Sequence, residues 1–179
     1  MHSKRTPLAA IQLVGGPLVL GSYFYSFGRY PDLVGAMWGG VPDALRSVYT
    51  AWMFVAATGY LVFTYLFMFR TDPREARVLG GDYNVLTLLY ALVLFPSAAW
   101  MPLTGEMLEG PAPGLWTFVK LDLWLTLIGS LGLLAATVRI EAGWRRSTRA
   151  LAVTAAAAFC VQTVLLDGIV WVWLFPAPA

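Results

Sequence analysis

Three residues could do chemistry inside an otherwise apolar chain: Lys120, Asp122 and Asp167. An ionisable side chain in such surroundings is expensive to place and marks a site by default. Two carboxylates and an ammonium can hold a polar group, pair two helices or pass a proton. Counting about 1.5 Å per residue from the nearer end of each apolar run, Lys120 is predicted roughly 7 Å deep and both aspartates roughly 10 Å deep. With their helices side by side, all three share one level. Lysine can reach back to the surface from there; the short aspartate cannot. Two negative charges against one positive call for a further partner, either Arg46 or a proton. Two readings stay open: a polar floor to a pocket, or a Lys120–Asp167 salt bridge between helices with Asp122 facing a hydrated crevice. On α-helical geometry Lys120 and Asp122 point about 200° apart. Lys120 shares its face with Trp116 and Trp124, where a cation over an indole is expected. Asp122 shares its face with Thr126 and Gly129, and Asp167 with Cys160, Thr163 and Trp171.

Other chemistries are excluded by what the chain lacks. One cysteine, Cys160, and one histidine, His2, supply neither a disulfide framework nor the several thiolates or imidazoles of the usual haem, copper, zinc and diiron sites. No metal is expected. GGPLVLG lies inside an apolar run and cannot cradle a phosphate, and no Ser/His pair is present. Glu106 and Glu109 could do acid–base work, yet read more simply as a solvated acidic loop. A net charge of +2 is too small to suggest nucleic acid. The chain is not expected to be an enzyme.

The elements that position these residues follow from composition. Hydrophobic residues make up 59% and charged residues 12% of the chain, about half the charge of an average soluble domain. The charges are clustered. Between the clusters lie Thr6 to Gly28, Ser47 to Phe69 and Tyr83 to Gly105, each free of charge and longer than the roughly 20 residues needed to cross the hydrocarbon. Two further runs hold Lys120 with Asp122, and Asp167. Open sheets cannot cross lipid, so all five are predicted as helices, approximately 7–27, 47–69, 83–104, 115–138 and 150–174. The fold class is an all-α integral membrane bundle forming a single transmembrane domain over residues 1–179. Every Lys and Arg outside the spans falls on one side except Arg29 and Arg46, which predicts a cytoplasmic N-terminus and an outer C-terminus. The first span is too long for a signal peptide and no clear small-x-small cleavage site follows it. A bacterial inner (plasma) membrane is the expected location. The arginines of RTDPREARV read as ordinary juxtamembrane charge.

Aromatic residues crowd the end away from these arginines. Trp38, Trp52, Trp100, Trp116, Trp124, Trp171 and Trp173 lie there, with Tyr23, Phe24, Tyr25, Phe27 and Tyr49. An interfacial belt accounts for many of them. A belt should appear at both ends, however, and Trp124 is too deep for one. The alternative is a Trp-lined pocket. Gly15, Gly16, Pro17 and Gly21 in the first span, and Pro96 and Pro102 around Trp100 in the third, allow close packing and bends. The Gly/Pro-rich loop from Gly28 to Arg46 would cover the outer end.

Trp100-Met101-Pro102 is similar to the Trp-x-Pro of the translocator/tryptophan-rich sensory protein (TspO) family, and Trp38, Pro42, Tyr49 and Trp52 loosely echo its loop-to-second-helix pattern with different spacing. That family consists of small five-helix membrane proteins, rich in Trp, whose long first loop lids a pocket for porphyrins, sterols and similar flat amphipathic ligands. The resemblance implies that Trp100 and Pro102 line a pocket. The predicted orientation is reversed relative to the family, and the last span lacks its polar, basic ending.

The leading expectation is therefore a non-enzymatic membrane protein that binds a hydrophobic or amphipathic small molecule or lipid. The outward pocket would be ringed by Trp52, Trp100, Trp116, Trp124 and Trp171, with Pro102 beside them and Lys120, Asp122 and Asp167 as polar contacts. A tetrapyrrole, carotenoid, sterol or quinone-like molecule is the kind of ligand expected. The alternatives are an accessory subunit of a larger membrane assembly, with membrane-protein partners or a homo-oligomer, and a small proton-coupled transporter or sensor built on Asp122 and Asp167.

Overall fold

The computed structural model describes residues 5–110, 112 and 114–175; His2 and Lys4 lie outside them. Among the described residues five helices are long and apolar enough to cross a membrane. They are α1 (Arg5–Arg29), α3 (Asp43–Phe69), α4 (Asn84–Glu109), α5 (Leu115–Arg139) and α6 (Arg146–Leu174), with a short α2 (Leu33–Ala36) in the first loop. No strand occurs among these residues. In lipid only a helix satisfies every backbone group from within its own segment, and this gives the apolar runs their form.

The spans run longer than expected at the aromatic end. Helix α3 begins at Asp43, directly after Pro42, where an acidic residue suits the positive end of the helix dipole. Helix α4 continues to Glu109. Glu106 and Glu109 thus stand on its last turn instead of in a solvated loop. Arg29 pairs with Glu109 at 3.0 Å, and the Tyr30 hydroxyl donates to Glu106 at 2.6 Å. Burial pushes the Tyr30 phenol up to about 12, helped by its hydrogen bond to Glu106 and by that carboxylate's charge.

Helix α6 is not uniform. It is α-helical over Arg146–Cys160, π-helical over Val161–Trp171, and α-helical again over Val172–Leu174. A π-helix closes i→i+5 bonds and is wider than an α-helix; most are single-turn bulges, many of them at functional sites. This one carries Asp167.

The helices pack as an open arc. Helix α1 lies along α4, α4 along α5, α5 along α6, and α6 along α3. Missing side chains let the backbones approach: a Cβ on Gly59 would come within 2.4 Å of the Ala155 carbonyl oxygen. Beside that contact the Trp52 indole N–H donates to the Ala158 carbonyl at 3.1 Å. Helices α1 and α3, consecutive spans in the sequence, barely touch; one link between them is the Tyr60 hydroxyl donating to the Gln12 side-chain oxygen at 2.6 Å.

The end bearing most of the arginines is closed and well packed. Phe63, Phe67, Tyr83, Leu86, Tyr90 and Leu133 form its core. Two loops there are joined by a pair of backbone bonds between Arg77 and Glu141, at 3.2 and 3.0 Å. Arg149 donates to the carbonyls of Val138 and Ile140 at 2.9 and 2.8 Å, satisfying acceptors that the end of α5 leaves open.

Candidate functional site

The opposite half of the arc encloses a cavity of about 770 Å³. All five spans and the first loop contribute to its wall. Helix α1 supplies Tyr23, the loop Met37 and Trp38, and helix α3 Tyr49 and Tyr60; behind them stand Trp100 of α4 and Trp171 of α6. The wall is largely apolar. Its polar groups come mostly from the deep helices, as Ser97, Thr126, Gln162, Thr163 and Asp167. Every exposed lining residue sits on α1 or α3, among them Leu20 at 65% and Phe54 at 72%. The cavity therefore opens sideways between the two helices that fail to pack together, toward the bilayer.

The first loop closes the top. The buried Trp171 indole N–H donates to the Met37 carbonyl at 2.8 Å, and the Gly40 N–H donates to the Leu174 carbonyl at 3.2 Å. The loop backbone lies so close to α6 that a Cβ on Gly40 would fall 2.3 Å from the Leu174 oxygen. Trp171 also sits edge-on to Trp100 at 5.7 Å and beside Phe175 at 4.5 Å. These rings join the lid to the wall.

The polar centre of the cavity is Asp167. The Gln162 side-chain amide donates to its Oδ1 at 2.7 Å. Residues five apart stand about 140° apart on an α-helix, but the π-helical turn brings them into line. Two further polar atoms of lining residues are buried without a hydrogen-bond partner: the Trp100 indole N–H and the Gln162 amide oxygen. One is a donor and the other an acceptor, and both are shielded from the open space of the cavity, so a ligand reaches them only where the side chains around them shift. The Tyr49 hydroxyl is already committed to the Leu166 carbonyl at 2.8 Å.

The charged trio does not converge. Among the described residues Lys120 has no ion-pair partner; its ammonium lies 5.5 Å from the Trp116 ring centroid, the cation–indole contact that the sequence predicts. The Lys120–Asp167 bridge is absent because Asp167 bonds along its own helix to Gln162. Asp122 is 8% exposed and its Oδ2 has no hydrogen-bond partner. It is not a lining residue of the cavity, although Thr126, one turn along on the same face, is. Arg46 does not join the trio either, since it pairs with Asp43 at 2.9 Å.

The expected ring of tryptophans is likewise divided. Trp100 and Trp171 line the cavity. Trp52 faces α6 through its bond to Ala158. Trp116 stacks on Phe175 at 5.4 Å, behind the wall. Trp124 is 46% exposed on the outer surface of α5, and Pro102 is not among the lining residues. Among the lining residues that sequence reasoning did not select are Tyr23, Tyr60, Ser97 and Gln162. Gln162 carried a signal, as the one glutamine in the last span, but an α-helical register turns it away from Asp167. Among the described residues no group of three His, Cys, Asp or Glu is placed to hold a metal ion.

No protein-family model matches the chain, and comparison with curated proteins and with solved structures found no match.

Proposed function

We propose that this multi-pass membrane protein binds a hydrophobic or amphipathic small molecule, without catalysing a reaction on it, in the cavity beneath its first loop. The observation that carries the reading is the cavity itself. Its volume lies within the roughly 300–1,000 Å³ typical of small-molecule sites, and it pairs apolar walls with a few convergent polar groups. Its sideways mouth suits a ligand that arrives dissolved in the bilayer. Its aromatic walls suit a flat one, and the polar lining residues Ser97, Thr126, Thr163 and Asp167 suit one with a polar edge. A tetrapyrrole, sterol, carotenoid or quinone-like molecule meets these demands, in keeping with the resemblance to the translocator/tryptophan-rich sensory family. The distribution of arginines supports a cytoplasmic N-terminus, as in a bacterial inner membrane, with the lid outside.

The transporter reading is built on Asp122 and Asp167 together, and of the two only Asp167 is part of the wall. The binding reading is tested by titrating porphyrin, sterol, carotenoid and quinone probes into the detergent-solubilised chain while following tryptophan emission. At least one should give saturable quenching, and Ala57→Phe, which adds a ring at an exposed lining position of α3 in the mouth, should weaken it. Absence of saturation with all four probes, or equal quenching in the variant, overturns the reading.

A further inference from the structure

A second concavity, of about 940 Å³, lies on the outer flank of the arc at its arginine-rich end, between α3 and α6. Its two ends differ. At the polar boundary stand Arg70, which follows the last residue of α3, and Arg145, which precedes the first of α6. Among the described residues neither guanidinium has an ion-pair partner. Ser147 and Thr148 of the first turn of α6 line the same end. That turn has no side-chain cap, so its free N–H groups and the positive end of the helix dipole add to the two charges. From there a trough runs back along α3 through Tyr65 and Val62 to Thr58, opposite Leu151 of α6. From Arg70 to Thr58 it covers about 18 Å at the helical rise, close to one leaflet of a hydrocarbon core about 30 Å thick. Trp144 forms the corner, held by its indole N–H donating to the Arg70 carbonyl at 3.1 Å.

We infer that this groove holds one anionic glycerophospholipid, its phosphate between Arg70 and Arg145 and one acyl chain along the trough. The charge complementarity calls for an anion, and the long apolar extension calls for a chain attached to it. A free phosphate would use only the first feature. The site meets the cavity beneath the first loop at Leu61, which lines both, and does not rest on what binds there.

Native mass spectrometry of the full chain, released from micelles containing equal amounts of phosphatidylglycerol and phosphatidylcholine, tests this. The wild type should retain one phosphatidylglycerol in preference to phosphatidylcholine. At roughly fivefold per guanidinium, Arg70→Gln with Arg145→Gln should lower that retention about 25-fold. Arg74→Gln with Arg139→Gln removes the same charge outside the groove and should change it less than about twofold. Leu151→Trp fills the trough from an exposed position and should also reduce retention with both arginines intact. Equal loss in the two double variants, indifference to Leu151→Trp, or displacement of the lipid by millimolar inorganic phosphate would overturn the assignment.

Discussion

Gly59→Ala should loosen the joint between α3 and α6 and destabilise the chain. The added Cβ would stand 2.4 Å from the Ala155 carbonyl oxygen, 3.2 Å from its carbon and 3.5 Å from its Cα. A backbone carbonyl in mid-helix cannot turn aside, so the helices must part by about 0.9 Å to reach an ordinary C···O contact of about 3.3 Å. The Trp52–Ala158 bond, now 3.1 Å, would stretch to about 4 Å and cease to be a hydrogen bond. Overpacking of this kind costs about 1–3 kcal/mol and the lost bond about 0.5–1.5 kcal/mol. Removing glycine from a helix interior returns about 0.5–1 kcal/mol. The net loss is about 2 kcal/mol, measurable by reversible unfolding in mixed detergent–dodecyl sulfate micelles. Gly16→Ala is the control, because a Cβ there meets nothing within 4 Å; it should be neutral or slightly stabilising. The packing argument fails if Gly59→Ala stays within about 0.5 kcal/mol of wild type, or if Gly16→Ala falls as far.

Two further outcomes follow from the lid. Trp171→Phe keeps a ring against Trp100 but removes the 2.8 Å bond to Met37; it should cost about 1 kcal/mol and speed amide exchange over residues 37–41, and unchanged protection there would contradict the lid geometry. Tyr30 gives a pH dependence: its folded-state value, about 12, lies above the ordinary value near 10, so its contribution is complete below pH 10 and fades as pH rises through 12. The stability gap between wild type and Tyr30→Phe should accordingly narrow over that interval, and a constant gap would count against the assignment.

The five spans were legible because uncharged runs longer than a bilayer have few alternatives, and Lys120 over Trp116 followed from plain i,i+4 spacing. The cavity wall was harder to read. In lipid the hydrocarbon is as apolar as a leucine side chain, so periodicity does not say which face of a span meets a neighbour. Trp124 on the lipid side and Trp100 on the cavity side look alike in sequence for that reason. The Gln162–Asp167 pair was hidden by register, since the π-helical stretch breaks the periodicity on which face assignments rest. The groove at Arg70 and Arg145 joins residues from two distant segments, and no local pattern connects them.

The arc has a consequence for how the chain is built. Emerging N-terminus first, it delivers α1 and α3 before any of the helices on which they mainly pack. The two jambs of the doorway are set in the bilayer first, joined by the loop that later becomes the lintel and by little else than the Tyr60–Gln12 bond. Helix α4 gives α1 its support, and α3 waits for the last span to be laid against it. A chain halted after α4 would leave the second span without its main neighbour.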